Sequence, residues 1–169
     1  MKPLIILSIL LLLGCKSVQK SPEAQAKAQQ QLNQIEAWIH NEGISIVSDW
    51  ALPQGSSQIN ILGNSNELTL KMDSTTAHLP FFGRRYTGGG YNDNVGIAFN
   101  GQPKNLQIDR DNTKNQLLIY FTIKDDSENY QIYIRLFSNY NSSVDVSSSQ
   151  RSYMNYTGKV AALKAKESS

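Results

Sequence analysis

Few side chains in this sequence have the type and spacing that catalysis or metal binding requires. The two histidines, His40 and His78, each lack a partner at the spacing of zinc ligands. Residues 109–112 begin like a calcium-binding loop, but Lys114 occupies the position that such a loop gives to glycine. No Gly-x-Ser-x-Gly nucleophile motif occurs. We therefore predict no catalytic residue, no metal and no cofactor, although two carboxylates that meet in space would still suit a glycosidase.

Cys15 is the only cysteine, and its surroundings predict a covalent modification. Residues 3–13 form an almost unbroken apolar run after Lys2, and Gly14 directly precedes Cys15. The run is too short to span a bilayer as a helix, which takes about 20 residues, so a cleaved export signal fits better. A small residue before cysteine is typical of a bacterial lipobox, in which the thiol is diacylated. We predict a signal peptide over residues 1–14 and lipidation at Cys15; the alternative is a signal that ends near an unmodified cysteine.

The length and composition indicate a chain with one hydrophobic core and almost no net charge. The 169 residues include 16 Lys and Arg against 14 Asp and Glu, and one of those cations lies in the signal. This balance argues against nucleic acid as a partner, because no excess of cations is available to displace counterions from phosphates. We predict one β-rich domain over residues 32–163. A tether and the start of a helix precede it over residues 15–31, and a polar tail follows over residues 164–169.

A helix is predicted over residues 22–40. Ser21 and Pro22 have the form of a serine cap followed by proline in the first turn. Leu32, Ile35 and Ile39 then fall on one face at helical spacing. We expect the second half of this helix to pack on the body of the domain and the first half to space that body from the membrane.

Beyond Gly43 the apolar period changes from helical to alternating, which predicts strands. The alternating or apolar segments are residues 44–46, 59–61, 68–72, 95–99, 106–108, 117–123, 130–137, 144–146 and 153–160. Polar residues 124–129 separate two long runs and predict an antiparallel hairpin. The connections are too short for crossover helices, which excludes a parallel α/β sheet. We predict an all-β fold, an antiparallel β-sandwich or barrel-like domain with one N-terminal α-helix.

An apolar bend, Leu-Pro-Phe-Phe-Gly at residues 79–83, interrupts this pattern. Proline keeps the preceding residue extended, and Gly83 permits a turn that residues with a Cβ resist. Adjacent residues of an extended chain point to opposite faces, so we expect one phenylalanine in the core and the other outside. The alternative is a strand corner in which both rings fill the core. The candidate binding surface consists of Phe81, Phe82, Arg84, Arg85, Tyr86 and Tyr91.

The same bend carries a resemblance to a known family. Residues 79–84, the glycine- and tyrosine-bearing segment after them, Arg151 and the Tyr-x-Gly element at Tyr156 and Gly158 resemble a family of secreted Bacteroidetes lipoproteins. That family is known only as a domain of unknown function, and the resemblance spans about Ile35 to Val160. It implies an all-β fold and an envelope location, and it implies no activity.

Two further expectations follow from the same resemblance. Residues 16–20 lack an acidic cluster like the surface-export signal of these bacteria, so we expect a lipid anchor in the inner leaflet of the outer membrane, facing the periplasm. Residues 73–75, Asp-Ser-Thr, resemble the sequence at which these bacteria attach O-linked glycans, which makes Ser74 a candidate acceptor. The alternative at Ser74 is an unmodified polar turn.

The sequence leaves three functions open. The first is a membrane-tethered, non-catalytic binding or accessory domain for an apolar or amphiphilic ligand or for another envelope protein. The second is a structural subunit of an envelope complex, which an exposed apolar patch would support. The third is a glycan or peptidoglycan hydrolase, which would need two facing carboxylates in a groove.

Overall fold

The structure is a computed structural model, and it describes residues 21–86, 96–125 and 128–164. One helix, α1 (Pro22–Asn41), precedes ten strands in these ranges. The strands are β1 (Ile44–Pro53), β2 (Ile59–Asn60), β3 (Glu67–Leu70), β4 (Thr75–Leu79), β5 (Ile97–Gly101), β6 (Lys104–Asp111), β7 (Gln116–Asp125), β8 (Glu128–Phe137), β9 (Asn141–Ser148) and β10 (Met154–Ala162).

The predicted helix is confirmed. The Ser21 hydroxyl accepts a hydrogen bond from the Ala24 N–H at 3.2 Å, and Pro22 occupies the first turn. Leu32, Ile35 and Ile39 are buried, and the buried face starts at Ala28. The second half of α1 therefore packs on the sheet as expected, while residues 1–20, including the predicted signal and Cys15, lie outside the described residues. Within the described part of the chain, no helix is long and apolar enough to cross a membrane.

All strand pairs in the described ranges are antiparallel and belong to one sheet, in the order β5-β4-β3-β1-β10-β9-β8-β7-β6, with β2 paired to β1. The sheet curls into a half-barrel, which confirms the expected all-β, barrel-like architecture with one N-terminal helix. The edge strands β5 and β6 are joined by only Gln102 and Pro103. Because two residues reach a short distance, this link brings the two sheet edges together at one end.

The core lies inside the curl and under α1. On neighbouring strands, Ala51, Tyr156, Val144 and Ile134 are register partners and all are buried. Because successive side chains of a strand point to opposite faces, the residues next to this buried row face the outside of the sheet. The helix residues Leu32, Ile35 and Ile39 join the same cluster, so α1 covers the open side of the half-barrel and completes a single core.

The structure adds one strand that the pattern did not predict and extends another pair. Strand β4 (Thr75–Leu79) places Thr75, Ala77 and Leu79 inward, and only the last of these is strongly apolar. The predicted hairpin of β7 and β8 is confirmed, but the pairing continues to Asp125 and Glu128. Most of the polar segment interpreted as a turn is therefore strand.

Candidate functional site

The bend after β4 separates two adjacent phenylalanines. Phe81 is 8 % exposed and belongs to the core, whereas Phe82 is 44 % exposed. The expectation that one ring faces in and the other out is met, and the structure assigns Phe81 to the inside. The Tyr156 hydroxyl donates to the Pro80 carbonyl oxygen at 2.8 Å, which ties the bend to the centre of the sheet.

The two unusual segments of the sequence, the bend and the region of Arg151, lie side by side. The Tyr86 N–H donates to the Gln150 carbonyl oxygen at 2.7 Å, and the Ser152 N–H donates to the Arg84 carbonyl oxygen at 2.9 Å. Arg85 and Arg151 form an antiparallel bridge between them. Residues 84–86 therefore extend from the bend along the segment that leads into β10.

Gly83 is required for a different reason from the one predicted. The chain bends at Gly83 as expected, but its φ is not positive, so the bend does not use the left-handed conformation that favours glycine. A Cβ on Gly83 would instead lie 2.1 Å from the Ser152 Oγ and 2.8 Å from the Phe81 ring. The Ser152 Oγ also accepts from the Arg84 N–H at 3.0 Å, so the glycine lets the two segments approach closely.

A buried ion pair supports the inner side of the bend. The Arg151 Nε donates to both carboxylate oxygens of Glu128, at 2.9 and 3.0 Å, and the two side chains are only 5 % and 8 % exposed. The guanidinium carbon of Arg151 lies 5.3 Å from the centre of the Phe81 ring, and its Nη1 donates to the Gly96 carbonyl oxygen. One arginine thus connects β8, the bend and the start of β5.

The pair is satisfied on all sides and is not arranged as a catalytic acid and base. Burial raises the pKa of Glu128, but hydrogen bonds from Arg151, Ser148 and Tyr130 outweigh it and hold that pKa below its ordinary value. Burial and the neighbouring Glu128 carboxylate raise the pKa of Tyr130. Glu128 belongs to the polar segment 124–129 that predicts the hairpin turn, but it begins β8 and is buried.

Phe82 stands between two open cavities. The bend cavity has a volume of about 550 Å³ and is lined by residues 64–65, 78–82 and 96–98. The loop cavity, of about 520 Å³, is lined by residues 53–56, 82–84, Tyr86 and Ser152. The bend cavity has largely apolar walls, whereas the loop cavity carries Arg84 and Tyr86. One exposed ring therefore borders an apolar and a polar recess at once.

The structure brings together most of the residues predicted for the binding surface. Phe82, Arg84 and Tyr86 line the loop cavity, and Tyr86 is largely exposed. Phe81 faces the core but also borders the bend cavity, and Arg85 lies in the bridge to Arg151. Tyr91 lies outside the described residues. Sequence reasoning missed Arg151 and Glu128 as supports of this surface, since residues 23 positions apart carry no joint pattern in the sequence.

The other polar candidates have structural roles or stay predictions. The Asp111 carboxylate accepts hydrogen bonds from the Thr113 hydroxyl and from the Thr113 and Lys114 N–H groups in the β6–β7 turn. These bonds lower the pKa of Asp111, and the bond from the Thr113 hydroxyl contributes most. Among residues 21–86, 96–125 and 128–164, no three His, Cys, Asp or Glu side chains come together as metal ligands. Ser74 lies in the β3–β4 turn, and its glycosylation stays a prediction.

The fold defines the chain as a curled antiparallel domain with a docked helix, and comparison with known proteins gives its family. The profile of DUF4251, a domain of unknown function, matches residues 26–160, and the chain belongs to this family. The match includes most of α1 and so begins before the expected Ile35. A crystal structure of a DUF4251 family protein from Bacteroides eggerthii is similar to this fold, with a TM-score of 0.62 and 14 % identity over 82 % of this chain and 91 % of that one. No curated protein matches the chain.

Proposed function

We propose that this protein is a membrane-tethered envelope lipoprotein whose domain binds an amphiphilic ligand at the bend without catalysing a reaction. The observation that carries the proposal is the exposed Phe82 ring between an apolar cavity and a cavity that contains Arg84. The predicted acyl anchor at Cys15 would hold this surface near a bilayer, where amphiphiles are concentrated.

The chemistry of the two cavities supports an amphiphile with an anionic head. Leu79, Pro80 and Ile97 offer apolar contacts to a hydrocarbon chain in the bend cavity. Arg84, on the other side of Phe82, offers a guanidinium that can donate two parallel hydrogen bonds to a carboxylate or phosphate. Volumes of about 550 and 520 Å³ are in the usual range of small-molecule sites.

The inner side of the bend supports a preformed site. Phe81, Arg151 and Glu128 are packed and hydrogen-bonded together, so the backbone that presents Phe82 is held in place before a ligand arrives. A preorganised surface loses less conformational entropy on binding. A hydrolase would need a free carboxylate near the bend, but both oxygens of the Glu128 carboxylate accept hydrogen bonds from Arg151.

The test measures binding of a fluorescent long-chain fatty acid to the full chain carrying Cys15→Ser, so that no acyl group of the protein competes. We expect Phe82→Ala to weaken binding about tenfold or more, as for the loss of an aromatic anchor, and to keep the melting temperature. Phe81→Ala should instead cost about 3–5 kcal/mol of unfolding free energy, because it leaves a cavity in the core.

Met72→Ala is the matched control, because Met72 is exposed like Phe82 but lies at the β3–β4 turn outside both cavities. It should change neither binding nor stability. Equal and large destabilisation by Phe81→Ala and Phe82→Ala would mean that both rings support the core. Fatty-acid binding that survives Phe82→Ala unchanged would overturn the proposed site and leave a protein partner as the occupant to test.

A further inference from the structure

The outer face of the sheet carries a third cavity, which shares no lining residue with the two cavities at the bend and differs from them in chemistry. It has a volume of about 730 Å³, and its walls come from β1, β8, β9, β10 and the turns beside them. Its central row consists of the register partners Trp50, Thr157, Ser143 and Arg135. The neighbouring row, through Ala51 and Tyr156, faces the core, so this row points away from the core.

We propose that this outer-face cavity binds an oligosaccharide that carries carboxylates. The first argument is Trp50, an indole that lines one side of the cavity and keeps 41 % of its surface exposed, so part of it is open to a ligand. The face of an indole ring carries negative potential. It therefore suits the weakly positive C–H face of a pyranose ring, which stacks on flat aromatic surfaces.

A bulge in β1 aims Trp50 at the cavity. The register shifts between Ser48 and Trp50, so Asp49 is an additional residue opposite β10. Gly158 makes this possible, because a Cβ there would lie 2.0 Å from the Val47 carbonyl oxygen. Bulges that redirect a side chain are frequent at functional sites. Asp49 and Gly158 themselves line the cavity beside the indole.

The floor of the cavity is a fixed set of hydrogen-bonding groups. Arg135 Nη2 donates to Asp145 at 2.8 Å and to the Ser143 hydroxyl at 3.1 Å, and Asn155 Nδ2 donates to the same hydroxyl at 2.9 Å. At the far end the Ser138 N–H donates to the Asn115 carbonyl oxygen at 3.3 Å, which joins two turns into one wall. These contacts hold the floor and wall in one arrangement without a ligand.

The remaining lining favours sugar hydroxyls and negative charge. Ser138, Asn139 and Asn141 have side chains that both donate and accept, as sugar hydroxyls do. Among the charged residues of the lining, Lys114 and Lys159 are cations, Arg135 is a cation already paired with Asp145, and Asp49 is the one acid. Three strand spacings of about 4.8 Å separate Trp50 from Arg135, so the row is wide enough for several sugar rings.

The test titrates the full chain carrying Cys15→Ser and Trp38→Phe with tetragalacturonate and with its methyl ester. Trp50 is then the only tryptophan, and its fluorescence reports on the cavity directly. We expect tetragalacturonate to bind and the uncharged ester to bind about tenfold more weakly, since the cations lose their partner. Trp50→Ala should lower the affinity about tenfold or more, measured by calorimetry.

Phe82→Ala separates this proposal from the function proposed for the bend. It should leave tetragalacturonate binding unchanged, and Trp50→Ala should leave fatty-acid binding unchanged, so that either site can fail alone. Failure of both oligosaccharides to bind would overturn the sugar site. Equal binding of the acid and its ester would overturn the role of charge. Binding of a glutamate tetramer as strong as that of tetragalacturonate would show a general anion site instead.

Discussion

At the scale of single residues, Glu128 and Arg151 form a buried ion pair that stabilises the core beneath the bend. Each is buried, and removing one partner would leave the other charged and without a counterion. Their contacts with Ser148, Gly96 and the Phe81 ring explain why the pair tolerates burial. The pair supports the bend from below, so its strength is linked to the presentation of Phe82.

The lowered pKa of Glu128 predicts a pH dependence of stability. A carboxyl whose pKa is lower in the folded state stabilises the fold above its unfolded pKa, near the ordinary value of 4.5, and this contribution disappears as the pH falls through the folded pKa. Glu128→Gln should cost about 3–5 kcal/mol at neutral pH. The difference from the wild-type protein should shrink below the ordinary pKa, as measured by urea unfolding across pH.

Glu67→Gln is the control for this series, because Glu67 is exposed on β3. It should change the free energy of unfolding at neutral pH by no more than about 0.5 kcal/mol. A Glu128→Gln variant whose deficit is the same at neutral and at acidic pH would contradict the prediction, because the lost energy would then come from packing rather than from charge.

At the scale of elements, Arg110 on β6 holds helix α1 against the sheet. Its guanidinium donates to the Asn33 Oδ1 at 2.7 Å, the Glu36 carboxylate at 3.0 Å and the Gln29 Oε1 at 2.6 Å. These three acceptors lie along one side of the helix. A single strand residue therefore reaches two turns of α1.

Arg110→Ala should loosen the helix without unfolding the sheet. We expect a cost of about 1–2 kcal/mol, because the ion pair with Glu36 is partly exposed and most of the loss comes from hydrogen bonds. Amide hydrogen exchange should quicken in α1 and stay unchanged in β7 and β8. Lys104→Ala, an exposed change on the same strand, should leave α1 unaffected; equal protection of α1 in both variants would rule out the docking role of Arg110.

The elements also show what the sequence could predict. The sequences of helix α1 and of strands β7 and β8 have a strong apolar periodicity or long apolar runs. In the structure these three elements begin and end close to the predicted residues. Strand β4 was missed because Thr75 and Ala77 give little apolar contrast. The outer-face cavity was beyond prediction, because its row joins residues from four strands whose register depends on the bulge in β1.

At the scale of the whole molecule, the predicted anchor decides where the two proposed sites operate. Cys15→Ser should release the protein from membrane fractions, because acyl chains contribute about 0.8 kcal/mol per buried methylene and stable anchoring takes more than one chain. Membrane fractionation with a carbonate wash measures this. Ser17→Ala, two residues after the cysteine, is the matched control and should stay with the membranes. A Cys15→Ser protein that still resists the wash would disprove the lipid anchor.

The position of β10 has a consequence for the order in which the sheet forms. Strand β10 (Met154–Ala162) is the last of the described strands, yet it lies in the middle of the sheet between β1 and β9. Until β10 pairs, no strand pairing connects β1 to β9, and the described sheet consists of the parts β5-β4-β3-β1 and β9-β8-β7-β6. Completion of the sheet must wait for β1 to pair with β10, and contacts so distant in sequence form slowly. Until that moment the facing edges of β1 and β9 remain open to other chains, so the time before β10 pairs is when aggregation threatens this protein most.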